Sequence, residues 1–447
     1  MPLGINAPET RSVFEYESIL FESERMRNTV ELKGVVTDFS LWEHIEKPYL
    51  TAEIYFLDGQ NFFTNADILG GEKITVRLKS LEETATAIEK KFYIDKVLFN
   101  TKGNDNVEAI GLHLIEDIGY IANLLNVNQS YSGTCTHIIK KIAEGHLGKE
   151  VLTTDNDDQL IKVIVPNLNP LEAMVWIKNR ATTVEGFPFY LFSSFTGKKL
   201  SFADLISMIS QPAINLGQPF TYIQGSSQSD DASEVRRTIR QYEQENTENL
   251  FSLISQGSVG AKYQYINTTK NKTNEFHFDV AKDVFRVLVD NNYLPKQQNK
   301  VMYSDLYKHN EQEFHEYDSR VISHIGGALA FDNNDSPTVK SYNESDEIAN
   351  YKQNAISKAM NKFLKKAPMM ITVNGDDFLR GDANPTIGNN ISILFKNSKT
   401  DKDRSESGVD HKKSGDFMIF GAEHAFKKSG DYTIRLSCVK LADLSRM

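Results

Sequence analysis

Between residues 29 and 116 apolar and polar side chains alternate in short runs. Thr29–Thr37 and Tyr49–Leu57 each keep a period of two, and the second stops at Asp58-Gly59, a pair suited to a tight turn. A third run, Lys73–Lys79, follows the Gly70-Gly71 pair, and Lys91–Phe99 and Val107–Ile115 supply two more. Strands this short, punctuated by turns, predict an antiparallel β-barrel or sandwich.

Near Asp117 the period lengthens. Ile118–Leu125 and Thr136–His146 carry apolar residues at helical spacing, with Gly145 as the expected stop. After a strand at Lys162–Pro166, Asn169 suits an N-cap and Pro170 the first turn of a helix reaching Arg180. Gly186–Ser194 is an apolar strand that turns at Thr196-Gly197 into Lys199–Phe202, so the module is mixed α/β. Gly225–Ser233 is polar and unpatterned, an expected loop. Val235–Gly257 has a helical pattern and Gly260–Asn267 that of a strand. A polar stretch, 276–350, is rich in His, Asn and Tyr and only weakly periodic. Ala355–Lys366 is an amphipathic helix stopped before Pro368, and short strands then return, broken by the charged segment Asn397–Lys413, an expected mobile loop.

Part of the first β region recurs in the last. Gly71–Lys79 parallels Gly388–Lys396: Gly, two polar residues, three β-formers, then an apolar residue and Lys. Downstream, Phe92–Ile94 parallels Phe417–Ile419, and Ile110, Leu112 and Leu114 parallel Ile434, Leu436 and Cys438. Any two antiparallel strand pairs can share such a pattern. The preserved order and comparable gaps favour two copies of one β-barrel.

Composition narrows the function classes. A chain of 447 residues is long enough for about three domains. Fifty Lys and Arg against sixty Asp and Glu give a net charge of −10, the wrong sign for a protein that tracks nucleic-acid phosphates. With 40% hydrophobic and 25% charged residues the chain is not expected to be disordered. Two cysteines, Cys135 and Cys438, form no disulfide framework, which points to a reducing compartment. The start, Met1 to Thr10, has neither a basic leader nor an apolar core, and no apolar run is long enough to span a bilayer. A soluble protein made in the cytoplasm is expected.

Catalytic motifs are missing: no His-Glu-x-x-His, no Gly-x-Ser-x-Gly and no Gly-x-x-x-x-Gly-Lys. His309, His315 and His324 are spaced so that an ideal helix points them apart, which argues against a shared metal and for a solvated or interface segment. Asp155–Asp158 and Asp332–Asp335 lack the Gly and Glu of a calcium loop and are expected turns. Asp376-Asp377 fits a turn after Gly375 better than an acid–base pair, and Arg380-Gly381-Asp382 is a chance tripeptide in a loop. Lys365-Lys366, Lys412-Lys413 and Lys427-Lys428 are scattered, hence solvated faces, and the aromatic run from Phe187 to Phe192 is a buried strand rather than a ligand pocket. No catalytic, cofactor-binding or metal-ligating residue is assigned, and no cofactor is expected.

The order of five segments resembles the central baseplate hub proteins of contractile-tailed bacteriophages, a family related to the N-terminal part of the VgrG spike proteins of type VI secretion. The segments are Gly70–Val76 with the opening strands; Tyr131–Ile142; Val163–Ala181; Asn249–Gly257; and Ser414–Phe426. Residues 276–350 and 397–413 have no counterpart in the resemblance. What it implies is a mainly β fold with α/β insertions and two similar tail-tube-like antiparallel barrels built from discontinuous domains. The first barrel is expected at 10–117, completed by about 213–235, with an α/β insertion at 118–212. The second is expected at 236–275 and 365–447, interrupted by 276–364.

The resemblance further implies a non-enzymatic, structural virion protein of the tail baseplate. Three chains would form a pseudo-sixfold ring adapting the sixfold tail tube to a threefold central spike. Partners would be two further copies, the tail tube protein, the central spike and neighbouring baseplate wedge proteins, and DNA would pass the lumen unbound during genome ejection. Two other classes stay open: a tail-tip cell-wall hydrolase using Glu311, Glu313 and Glu316, and an envelope glycan-binding module in the same insertion.

Overall fold

The computed structural model of the chain describes residues 13–26, 29–81, 86–104, 107–154, 160–223, 236–244, 250–267, 272–293, 300–301, 308–326, 340–341, 351–364, 369–379, 386–396, 409–410, 413–440 and 442–443. It is predominantly β, and thirteen strands join in one hydrogen-bonded sheet. Six of them come from the start of the chain. In sheet order they are Val36–His44, Thr51–Asp58, Val107–Glu116, Ile88–Asn104, Lys73–Ser80 and Phe14–Glu22, with the short Val30–Glu31 beyond. Six come from later: Gln241–Gln244, Met369–Asn374, Tyr432–Val439, Gly415–Lys427, Asn390–Lys396 and Phe220–Ile223.

Both sets run in the same order across the sheet and along the chain. All neighbours within the first set are antiparallel. So are those of the second, except that Phe220–Ile223 lies parallel to Asn390–Lys396. Among the described residues these thirteen strands form one open sheet rather than the expected pair of closed barrels, and no ladder closes on itself.

The agreement extends to register. Ile74 lies opposite Phe92, and Ile391 opposite Phe417. Ile94 lies opposite Leu114, and Ile419 opposite Cys438. Each long strand then carries a bulge at the next residue, Asp95 in one and Phe420 in the other. The turns match too. The Gly71 N–H donates to Ile94 O at 2.8 Å and the Gly388 N–H to Ile419 O at 2.8 Å, and both glycines have positive φ, 86° and 81°. Left-handed backbone here is why glycine heads both repeats. The repeated apolar positions all point inward: Ile74, Phe92, Ile94, Leu112 and Leu114 are buried, as are Ile391, Phe417, Ile419, Leu436 and Cys438.

Three expectations change. Segment 213–235 does not complete the first set: its strand pairs with Asn390–Lys396, drawn there by Phe220, which is buried and stacks on Phe378. Residues 260–275 do not enter the large sheet either. Gly260–Asn267 lies between Lys272–Asp279 and Val321–Gly326 in a separate three-stranded sheet, so this segment belongs with the second insertion. Within the expected helix at 235–257, Gln241–Gln244 is a strand against Met369–Asn374, and Leu250–Ser255 is helical.

The helices of the α/β insertion open on side-chain caps, the expected one at Asn169 and a second at Thr134. Asn169 Oδ1 accepts the Glu172 N–H at 2.8 Å at the head of helix Pro170–Lys178, and Thr134 Oγ1 accepts the His137 N–H at 3.2 Å ahead of Cys135–Ile142. The latter continues as a π-turn, Ala143–Leu147, and ends at left-handed Gly148 rather than Gly145. Two three-stranded sheets flank these helices, and Phe189–Phe192 is buried throughout, as expected of that aromatic run.

Candidate functional site

The two strand sets meet along one line. The long strand Gly415–Lys427 shares one edge between two partners: residues 415–418 pair with Asn390–Ile393 of their own set, and residues 421–427 pair with Asp38–His44 of the other. Along this seam Leu41, Glu43, Ala422, His424 and Phe426 are buried.

Glu43 and His424 form the seam's polar centre. His424 Nε2 lies 2.9 Å from Glu43 Oε1, and its Nδ1 lies 2.8 Å from the Tyr432 hydroxyl. The Phe195 N–H, from the α/β insertion, donates to Glu43 Oε2 at 2.8 Å. Burial, reinforced by the charge of Glu43, pushes the Tyr432 phenol well above its ordinary value, so it stays protonated. It therefore donates to Nδ1, leaving Nε2–H to donate to the carboxylate. The carboxylate, the imidazole and the phenol are thus all partnered, and three regions are tied to one buried His–Glu pair. Tyr432 also stacks on Phe426 at 4.3 Å, and a Cβ on Gly375 would sit 2.1 Å from its ring.

A second buried network fastens the insertion. Lys90 Nζ donates to Ser194 O and Gly197 O, each at 2.8 Å, and lies 3.3 Å from Glu116 Oε1. The Leu50 N–H and the Ser193 hydroxyl donate to the same carboxylate. These contacts are structural: they fix where the insertion sits on the sheet.

The sequence candidates for chemistry fall elsewhere. His315 Nδ1 is 3.0 Å from Asp279 Oδ1 and its Nε2 is 2.5 Å from Glu313 Oε2. His309 is exposed on a hairpin beside Tyr317, and His324 lies in the strand Val321–Gly326. Among the described residues no group of three His, Cys, Asp or Glu is placed to hold a metal. Glu313 and Glu316 are engaged in a capping box, and the hydrogen bond from His315 holds the Glu313 carboxyl below its usual range. Glu311 sits in a left-handed turn at φ 67°.

Asp376 and Asp377 occupy the short 3₁₀ turn Asp376–Phe378 after Gly375, 3.6 Å and 4.0 Å from Arg236 and Arg237. Lys413, Lys427 and Lys428 are described, and Lys427 and Lys428 are exposed. Asp155–Asp158, Asp332–Asp335, Arg380–Asp382, Lys365-Lys366 and Lys412 lie outside the described residues, as does 397–408. A cleft of about 440 Å³ opens between Tyr49, Gly119 and the helix bearing Glu172 and Trp176.

Glu43 and His424 escape a motif search because neither belongs to one. The signal was phase: in Leu41-x-Glu43 and in Ala422-x-His424-x-Phe426 a charged or ionisable residue occupies the inward position of an alternating strand.

No protein-family model matches the chain, and no curated protein matches it. Among solved structures it is similar to the tail protein from Neisseria meningitidis MC58, with a TM-score of 0.50 and 12% identity over 95% of this chain and 97% of that one. It is equally similar to the 43 kDa tail protein of prophage MuSo2 from Shewanella oneidensis, with a TM-score of 0.50 and 11% identity over 96% and 100%. Across nearly its whole length the chain has the fold of prophage tail proteins, the class to which its segment order pointed.

Proposed function

We propose that this protein is a structural baseplate hub. Its two strand sets are two tail-tube-like units in one chain, and three chains close a pseudo-sixfold ring. Such a ring presents six equivalent units to a sixfold tail tube and three chains to a threefold central spike. On this reading the first unit spans 10–117. The second gathers 213–244 and 365–447, with 118–212 and about 250–364 as insertions that face neighbouring baseplate proteins. Its place is the virion tail, its role is structural rather than enzymatic, and its lumen forms part of the path for the genome. Net negative charge suits a conduit that DNA crosses without sticking.

One observation carries the proposal: six strands repeat in sheet order between Phe14–Glu116 and Phe220–Val439, and five of them repeat in direction too, with matched register, turn and bulge. Common architecture alone does not place the bulge after Ile94 and after Ile419. Whole-length similarity to prophage tail proteins supports the same setting.

The test is the mass of the purified chain in solution, followed by its end-on projection in the electron microscope. Three times the 50.6 kDa chain mass with a six-lobed projection is the expected result. A monomer at every concentration, alone and with a cognate spike, overturns the ring.

A further inference from the structure

Within the chain, the outer part of Gly415–Lys427 reaches past its own set and captures Val36–His44 of the other. Each of these strands has an equivalent. The equivalent of Gly415–Lys427 is Ile88–Asn104, and that of Val36–His44 is Gln241–Gln244.

Both equivalents are half-paired. Strand Ile88–Asn104 has Val107–Glu116 along one edge, while Lys73–Ser80 on the other edge stops opposite Tyr93. From Asp95 to Lys102 that second edge has no partner strand among the described residues. Val97 and Phe99 there are 36% and 41% exposed. Gln241–Gln244 is the terminal strand of the large sheet, paired among the described residues only with Met369–Asn374. An open edge of this kind is a template for another strand.

We propose that these two edges join between chains: residues 96–102 of one copy pair antiparallel with Gln241–Gln244 of the next, repeating the internal seam head to tail. The occupant of each edge is a second copy of this chain, because the partner shape that each edge lacks is present on the other. Heterologous pairing of this kind closes a ring when the rotation closes. This deepens the hub reading and rests on it.

The internal seam also fixes the register. Thr101 lies opposite Ala109 as Ala425 lies opposite Thr433, the extra bulge at Leu98 being counted. Glu243 lies opposite Met370 as Ser40 lies opposite Glu53. Ala425 pairs with Ser40, so Thr101 pairs with Glu243 of the next chain. Directly opposed residues on antiparallel strands have Cα atoms roughly 4.5–5.5 Å apart, within disulfide reach.

The experiment uses the full chain carrying Thr101→Cys and Glu243→Cys together, oxidised and run without reductant, with each single variant as control. The native Cys135 and Cys438 are fully buried and stay silent. A covalent three-chain species that the single variants do not give is the expected result. A three-chain mass by light scattering without that cross-link, in this pair and in the neighbouring pairs Asn100→Cys and Lys102→Cys with Glu243→Cys, overturns the edge assignment and leaves the ring standing. A one-chain mass at every concentration, alone and with a cognate spike, with no cross-link overturns both. A ladder running beyond three chains overturns threefold closure.

Discussion

The internal seam and the free edges are built from equivalent strands and finished differently. At the seam, His424 lies buried against Glu43, with Phe426, Phe39 and Tyr432 packed around the pair. At the free edge the equivalent position is Asn100, exposed, with Lys102 in place of Phe426. A junction that forms once, as the chain folds, can bury a hydrogen-bonded carboxylate–imidazole pair for good. An edge that, in the proposed ring, stays exposed until another chain arrives keeps neutral and charged polar residues instead. The two halves therefore differ most where their roles differ, and agree most in the shared turn and bulge.

The comparison breaks most easily at the buried pair. Glu43→Ala or His424→Ala leaves its partner buried and uncompensated, so each is expected to destabilise the chain by about 3–5 kcal/mol. The double variant Glu43→Leu with His424→Leu removes both polar partners and is expected to cost less than the sum of the two. At the free edge Asn100→Ala stays within about 0.5 kcal/mol. Denaturant titration of the four variants measures all of this. An Asn100→Ala loss as large as that of His424→Ala would mean that the two positions are not finished differently.

Next in size come the matched turns. Gly71→Ala and Gly388→Ala each force a side chain into left-handed backbone, with the new Cβ 2.9 Å from the Tyr120 hydroxyl in one and 3.0 Å from Met208 Sδ in the other. Each is expected to cost about 1–2 kcal/mol, and nearly the same amount, since backbone and clash are alike. Thermal melts of the two variants side by side check it. A neutral Gly388→Ala beside a damaging Gly71→Ala would show that the second turn can relax where the first cannot, and would weaken the case for two equivalent units.

Much of this was legible because strand periodicity and turn glycines act locally. The run Gly71–Lys79, its echo Gly388–Lys396 and the cap at Asn169 declare themselves within a few residues. What stayed hidden was choice of partner. Gln241–Gln244 is polar and reads as helix until Met369–Asn374 supplies the edge that makes it a strand. Phe220 finds its stacking partner in Phe378, far along the chain, and no local pattern announces which set its strand will join. The seam itself was hidden for the same reason: Glu43 and His424 explain one another, and each alone looks like a polar residue on a strand.

The smallest effect distinguishes the two long strands one residue before their repeated Phe. Lys91 precedes Phe92 and is exposed, opposite Thr75, whereas Asp416 precedes Phe417 and is partly buried, opposite Ser392. Desolvation pushes the Asp416 carboxyl above its ordinary value, against a weaker pull from a hydrogen bond with Ser392. The folded chain therefore holds this proton more tightly than the unfolded chain. The resulting stability is present at low pH and is lost as pH rises from the ordinary carboxylate value through the raised one. Asp416→Asn, which keeps the acceptor without the charge, is expected to raise the melting temperature slightly at neutral pH, an advantage that fades below the ordinary carboxylate range. Lys91→Gln, on the exposed counterpart, is expected to show no such pH-dependent gain. Melting curves of both variants from acid to neutral pH test the difference. An Asp416→Asn chain that melts lower at neutral pH would mean that the strand favours the charge, and that this position does not distinguish the two units by burial.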